Sequence, residues 1–447
     1  MALRRSGNDS SRRDFLKVSG AALLASNVLD RIASAAMPRL APGAFARGDD
    51  TLKIALIGCG GRGTGAARQA LMTAGNVKLV ALADAFQDRL DNSLKSLNAE
   101  LADRIDVTPD RCFVGFDAYQ QAIDLCDVAI LTTPPGFRPI HFEYAIQKNK
   151  HVFMEKPVAV DAPGVRRVLA AAELSKQKNL KVGVGLQRHH EPGYVETVKR
   201  LQDGAIGDAT LFRVYWCDTG VWCNPRQPGQ SEMTYQMRNW YYFVWICGDH
   251  VVEQYIHNLD VANWVMNATL VRARGQGGRQ VRTGIDYGEI YDHHMVEFTY
   301  PNGTKMMSLC HHWPGAWSDV SEHLHGTKGY ADIAGKTIAV RGSPEWKFTR
   351  PRGSEPIDPY QIEHDVLFDA IRNDKPHNEA VYGATSTMTA IMARMATYSG
   401  RDIKWDEALN STLALVPTKY AWDGQPPSLP DKDLRYKIPM PGSAQAL

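Results

Sequence analysis

The chain has 447 residues, 44% hydrophobic and 22% charged, the composition of an ordinary globular protein. Its length implies two or three domains. The formal net charge is +2, and without residues 1–36, which hold six Lys/Arg and three Asp/Glu, 45 basic residues face 46 acidic ones, a balance that gives no electrostatic case for nucleic acid.

The first element is the stretch SRRDFLK, Ser11 to Lys17, with paired arginines Arg12 and Arg13. An apolar run, VSGAALLASNVL, follows, and then ASA at Ala33 to Ala35. A basic region, a short apolar run and an A-x-A site in that order predict a twin-arginine signal peptide over residues 1–35. The expected consequences are cleavage before Ala36, passage through the twin-arginine translocation machinery as a folded protein, and a periplasmic location. The run falls short of the roughly 20 apolar residues of a bilayer span. No later segment approaches that length, so the mature chain is expected to be soluble.

Residues 50–187 alternate short β-branched runs (KIALIG, VKLVALAD, DVAILTT, HVFMEK, KVGVGL) with amphipathic ones such as TGAARQALMTAG and GVRRVLAAAELSKQK. Apolar strands alternating with helices predict an α/β, doubly wound, mostly parallel sheet. The segment IALIGCGGRGTGAA places Gly58, Gly60 and Gly63 in G-x-G-x-x-G spacing between a strand and a helix. Such glycines allow a tight turn, a close approach of backbone to pyrophosphate and close helix–strand packing. The second strand ends at Asp84, about 20 residues on, where a carboxylate binds the adenosine ribose and repels a 2′-phosphate. The segment therefore reads as a Rossmann domain, with NAD rather than NADP as cofactor.

Residues 188–408 have longer strand candidates (ATLFRVYWCD, ATLVRARGQ, HHMVEFTY, TKMMSLCHHW, YADIAGKTIAVRG) and helical patterns near 362–373 and 386–399. They predict a C-terminal α/β domain with a large open, mainly antiparallel sheet. Residues 409–447 form a Pro-rich tail expected to wrap over the surface. The seven cysteines are odd in number and lack C-x-x-C spacing, so neither a disulfide framework nor a zinc ribbon is expected.

Two stretches carry candidate chemistry. In HVFMEKPVAVD, Glu155, Lys156 and Pro157 end a strand on the side where such sheets bind ligands. Lys156 there can reach a nicotinamide ribose and a substrate hydroxyl, although position alone fits a surface lysine before a turn proline equally well. In GDHVVEQYIHNLDVANW, a continuous helix would set Glu253, His257 and Asp260 along one face at i, i+4 and i+7. A carboxylate one turn before a histidine can fix its tautomer, as a general base requires. A buried hydrogen-bond network explains the same face, and no ligand spacing supports a metal, so no metal is expected.

In combination, GCGGRG, TTPPGFRPIH, MEKPVAVD, YIHNLDVANW, LHGTKGYADI and HDVLFDAIRND resemble the Gfo/Idh/MocA oxidoreductases over about residues 50–408. The resemblance implies a Rossmann domain followed by an α/β domain whose sheet covers the nicotinamide. It implies Lys156 and His257 beside the reacting sugar carbon. The acidic position one turn before the histidine, usually Asp, is Glu253 here, and Asp260 completes the expected catalytic set. The cofactor set it implies is Gly58, Gly60, Gly61, Arg62, Gly63, Asp84, Thr133, Pro134, His141, Glu155, Lys156, Gln187 and Arg188.

The expected activity is NAD-dependent oxidation of a secondary hydroxyl of a sugar or glycoside, with a tightly held cofactor because free NAD is scarce outside the cytoplasm. The alternative is a glycosidase or epimerase working through transient oxidation, elimination and re-reduction, as in NAD-dependent glycosidases related to this family. A non-catalytic sugar- or nucleotide-binding scaffold is disfavoured by the Lys156 and His257 pair. The open sheet offers a surface for homo-oligomerisation.

Overall fold

The computed structural model describes residues 51–350, 353, 358–443 and 445. The twin-arginine pattern at residues 11–17 and the A-x-A site lie outside the described residues. Among the described residues, no helix is long and apolar enough to cross a membrane, and all seven cysteines are free thiols.

The first sheet consists of β1 (Leu52–Ile57), β2 (Val77–Asp84), β3 (Cys112–Val114), β4 (Val128–Leu131), β5 (His151–Met154) and β6 (Val182–Val184). Their order is β3-β2-β1-β4-β5-β6 and every pair is parallel. The helices between them are α1 (Gly61–Met72), α2 (Gln87–Leu101), α3 (Ala118–Asp124), α4 (Arg138–Gln147) and α5 (Ala162–Gln177). Strands covered on both faces are apolar at nearly every position, and β1 shows how the faces divide. Ile54 and Leu56 join one core with Ala66, Ala70 and Phe368, whereas Ala55 and Ile57 join the other with Phe142 and Val165. Alternate side chains of one strand thus serve two layers. The loop into α5 ends on Asp161, whose Oδ1 accepts from Gly164 N at 2.8 Å and caps the helix.

The second sheet has nine strands: β7 (Ala209–Asp218), β8 (Arg272–Gly278), β9 (His293–Thr299), β10 (Lys305–His312), β11 (Asp319–Gly326), β12 (Gly329–Asp332), β13 (Thr337–Val340), β14 (Trp346–Lys347) and β15 (Ile403–Lys404). Their order is β14-β13-β12-β11-β7-β10-β9-β8-β15. Neighbours are antiparallel except β7 and β10. Four strands have no counterpart in the sequence patterns, and two of them, β14 and β15, span only two residues each. β3 spans only three residues. β11, DVSEHLHG, lacks apolar alternation because Glu322 points inward at 0% exposure, where a strand usually buries an apolar side chain.

The remaining helices are α6 (Pro192–Gln202), α7 (Glu232–Arg238), α8 (Val244–Cys247), α9 (His250–Glu253), α10 (Ile256–Met266), α11 (Pro359–Arg372), α12 (Ala380–Ser399) and α13 (Trp405–Leu409). α12 packs against β8, β9 and α5, so it touches elements of both sheets. Its Ala, Met and Thr side chains are buried around most of its circumference, as befits a helix enclosed on all sides. α11 packs on α1. The described part of the tail is tied down by Leu415 N to Asp161 Oδ2 (2.8 Å), Tyr420 Oη to the Gly136 carbonyl (3.1 Å) and Tyr291 Oη to the Pro439 carbonyl (2.9 Å).

Candidate active site

The β1–α1 turn has the shape a dinucleotide requires. Gly58 adopts φ +98°, and a Cβ there would meet Thr133 N at 2.5 Å. A Cβ on Gly63 would lie 1.9 Å from the Gly58 carbonyl oxygen, so this position packs helix against strand. Around Gly60 and Gly61 the opposite holds, since a Cβ on either meets nothing within 4 Å. Open space therefore lies over the N-terminus of α1, where free N–H groups favour phosphate. At the end of β2, Asp84 accepts from Cys59 N at 2.6 Å and from Phe86 N at 2.9 Å. These bonds aim its carboxylate, while burial raises its pKa. Glycine turn, helix start and carboxylate together fit NAD.

Arg62 turns away from that space. Its Nε donates to Glu155 Oε1 at 2.5 Å, Nη1 to Gln69 Oε1 at 2.8 Å and Nη2 to Glu363 Oε1 of α11 at 3.1 Å. Its guanidinium also lies over the Tyr360 ring, 4.7 Å from the centroid. Burial, with the Glu155 charge second, pushes Glu363 well above the usual carboxylate range, and Arg62 opposes that rise. Arg62 thus clamps α11 to the end of β5. After β4, the Arg138 guanidinium donates to the carbonyls of Leu131 and Thr133. Pro134 opens the turn that leads into α4. Thr133 Oγ1 lies 3.2 Å from His141 Nδ1. His141 stacks on Tyr119, and burial, with Arg138 second, pulls its pKa down to about 3. It is neutral and fixed.

Lys156, just beyond β5, donates from Nζ to Glu253 Oε1 at 3.0 Å and to the Glu253 carbonyl at 2.5 Å. The pair is largely buried. Glu253 is therefore the partner of Lys156, which corrects the expectation that it would orient His257. The continuous helix expected there is broken into α9 and α10. Tyr255 N bonds to the His250 carbonyl at 3.2 Å, a bond spanning five residues that widens the turn. Tyr255 is held there because its hydroxyl donates to the Val214 carbonyl and accepts from Leu309 N at 3.0 Å. The extra residue in the turn rotates Glu253 off the His257 face.

His257 is 7% exposed, and its ring stacks on Trp216 of β7 with 5.9 Å between centroids. Its Nδ1 is buried without a hydrogen-bond partner. Burial lowers its pKa well below the ordinary histidine value, and the Lys156 and Arg188 charges add to the effect. The imidazole is thus neutral and close enough to Lys156 to feel its charge. Asp260 faces elsewhere, accepting from Ser386 Oγ at 2.7 Å and contacting His189 Nε2 at 2.8 Å.

Gln187 donates to Tyr360 Oη at 3.1 Å, and its Oε1 is buried without a partner. Arg188 pairs with Glu322 of β11, which also accepts from Tyr194 Oη at 3.1 Å and from Asn258 Nδ2. Glu322, Trp216, Tyr360 and Glu363 complete the site, yet no motif marks them. Their contacts cross the fold and have no spacing to read.

Residues 52–185 match the Gfo/Idh/MocA family model, described as an oxidoreductase family with an NAD-binding Rossmann fold. An inositol 2-dehydrogenase of Agrobacterium fabrum is 30% identical over 228 residues, 50% of this chain and 57% of the relative. An inositol 2-dehydrogenase/D-chiro-inositol 3-dehydrogenase of Halalkalibacterium halodurans is 27% identical over 217 residues, 48% of this chain and 53% of the relative. The chain thus spans little more than half the length of these two curated relatives. Among solved structures, an aldose-aldose oxidoreductase from Caulobacter crescentus, complexed with glycerol, superimposes with a TM-score of 0.62 at 18% identity, covering 79% of this chain and 100% of that one. A scyllo-inositol dehydrogenase from Lactobacillus casei, with bound NAD(H) and scyllo-inositol, gives 0.59 at 20% identity, covering 80% and 100%. At these identities the likeness is one of fold.

Proposed function

We propose that the protein is an NAD-dependent oxidoreductase acting on a secondary hydroxyl of a sugar or cyclic polyol. The observation that carries this reading is the pair formed by a buried, neutral His257 and an ammonium, Lys156, held by Glu253 beyond the end of β5. That is the end of a doubly wound sheet where ligands bind.

Bound oxidised nicotinamide supplies the acceptor for the carbinol hydrogen. His257 takes the hydroxyl proton, for which a neutral imidazole is the required state. Lys156 donates a hydrogen bond to the same oxygen and stabilises the negative charge that develops as the proton leaves. Glu253 holds the Lys156 ammonium in place. Arg188, fixed by Glu322, keeps a second positive charge near His257 and disfavours its premature protonation. The substrate loses one hydrogen with its electron pair and one proton, becoming a ketone.

The reading includes a tightly held cofactor and export to the periplasm, supported by the twin-arginine pattern at residues 11–17. The test is to purify the protein without added nucleotide, identify any nucleotide released on denaturation, and titrate inositols, aldoses and glycosides while following reduced-nicotinamide absorbance. NAD release and a substrate-dependent rise support the proposal. Glycoside cleavage over many turnovers without a lasting rise would replace net oxidation with the redox-neutral route. No nucleotide and no chemistry with added NAD would overturn both.

A further inference from the structure

A second cluster, with no part in that chemistry, joins the start of α9 to β9. Asp249, His250 and His294 are 0%, 1% and 3% exposed. Each offers one ligand atom, and the three atoms lie within 4.8 Å of one another. We propose that Asp249, His250 and His294 form an interior site for a divalent transition-metal ion, with Zn2+ the best match to two imidazoles and a carboxylate.

Three observations support it. The first is the hydrogen-bond balance at His294. Its Nδ1 lies 2.9 Å from Thr397 Oγ1, and the Thr397 hydroxyl has the carbonyls of Ala393 and Arg394 as acceptors, each at 3.1 Å. With the Thr397 proton used there, Thr397 Oγ1 accepts from His294 Nδ1–H. A neutral His294 then presents a bare lone pair at Nε2, 3.3 Å from Asp249 Oδ1. Two acceptors in a dry interior repel unless a cation or an added proton lies between them.

The second is the length of that contact. Two ligand atoms sharing a tetrahedral Zn2+, with bonds of about 2.0–2.1 Å, stand about 3.3 Å apart. The third is His250, whose Nε2 is buried without a partner and lies 3.9 Å from the same Asp249 oxygen. An unpaired imidazole nitrogen is costly in the interior but is ready for a metal. Thr397 would act as the outer-shell group that sets the His294 tautomer, a common arrangement around ligating histidines. Asp249 is anchored in turn by Tyr398 Oη at 2.5 Å and Tyr291 N at 3.1 Å, both to Oδ2, while Oδ1 accepts from His250 N at 2.5 Å and is the carboxylate oxygen that faces the two imidazole Nε2 atoms.

The role that fits such an enclosed site is structural. The ion would tie α9 to β9, and α9 carries Glu253. The other way to relieve the contact is an imidazolium–carboxylate pair at His294 and Asp249.

The test is the metal content of the full chain, purified without a histidine tag or chelator and measured by inductively coupled plasma mass spectrometry. The expected result is about one Zn2+ per chain. It should fall at least tenfold in His250→Ala and His294→Ala but not in His325→Ala. Thr397→Val, which keeps the side-chain shape, should weaken affinity about 10–100-fold. If the histidine variants fail to fold, the wild-type protein decides: stripping with a strong chelator should lower its melting temperature, and added Zn2+ should restore it. Folded wild-type protein that carries no metal and takes up neither Zn2+ nor Co2+ would overturn the proposal in favour of the charged pair. Equal metal content in the wild type and both histidine variants would overturn it too.

Discussion

The Lys156 ammonium receives both the side-chain carboxylate and the backbone carbonyl of Glu253, at 3.0 and 2.5 Å. A lysine held by two acceptors of one residue can offer its remaining N–H in only one direction. Lys156→Met is therefore expected to lower kcat/KM about 10²–10⁴-fold. Glu253→Gln keeps an oxygen in reach but removes the charge, so its loss should be smaller, about tenfold, and confined mainly to kcat. Steady-state kinetics on both variants checks this. A Lys156→Met enzyme with wild-type kcat would remove the lysine from the chemistry.

Gly60 and Gly63, three positions apart in the motif, should behave in opposite ways on substitution. A Cβ on Gly63 meets the Gly58 carbonyl at 1.9 Å, so Gly63→Ala must shift α1 against β1 and destabilise the protein itself. A Cβ on Gly60 meets no protein atom, so Gly60→Ala should change the unfolding free energy of nucleotide-free protein by less than about 0.5 kcal/mol. Its methyl would instead occupy the space reserved for pyrophosphate and weaken NAD binding at least about tenfold. Urea melts and nucleotide titrations on the two variants separate these effects.

What could be read in the sequence follows from how local each signal is. Gly58, Gly60, Gly63 and Asp84 belong to one β-α-β unit, and the strands around them are apolar because both faces are covered, so periodicity and spacing reveal them directly. The link between Lys156 and Glu253 spans 97 positions and needs a fold to appear. The widened turn at Tyr255 was illegible for a related reason: its cause, bonds to Val214 and Leu309, lies in another layer. A helical spacing rule then put Glu253 with the wrong partner. β11 was hidden because its inward Glu322 depends on Arg188, 134 positions away. Asp249 and His294, 45 positions apart, carry no ligand spacing at all.

Glu322 provides a test of a buried charge set against its partner. It is fully buried and bonded to Arg188, Tyr194 and Asn258. Glu322→Ala leaves the Arg188 guanidinium in the interior without its counter-charge, which should cost about 3–5 kcal/mol. Glu322→Leu combined with Arg188→Met removes both charges and should recover a large part of that stability, though not activity. Chemical denaturation of the single and double variants measures the difference. A double variant no more stable than Glu322→Ala would mean that the hydrogen bonds of Tyr194 and Asn258, rather than the ion pair, dominate.

Acid should destabilise the protein through histidines buried in the neutral form, and His364 isolates the effect. Its Nε2 is buried without a partner, its ring packs against Phe153 at 4.1 Å, and burial lowers its pKa to about 3. In the unfolded chain the same group titrates near about 6.5. Between those two values the unfolded state binds the extra proton, so stability increases with pH there. The contribution is complete above the unfolded value and is lost progressively as pH falls toward the folded one. The slope approaches about 1.4 kcal/mol per pH unit for one such group. His364→Leu replaces the ring with an apolar side chain that has no proton to gain, and it removes the unpaired nitrogen as well. Its unfolding free energy should match or exceed the wild type near neutral pH and fall less steeply with acid, by up to about 1 kcal/mol per unit. Urea melts across the mildly acidic range check this. An unchanged slope would mean that His364 takes up its proton without unfolding.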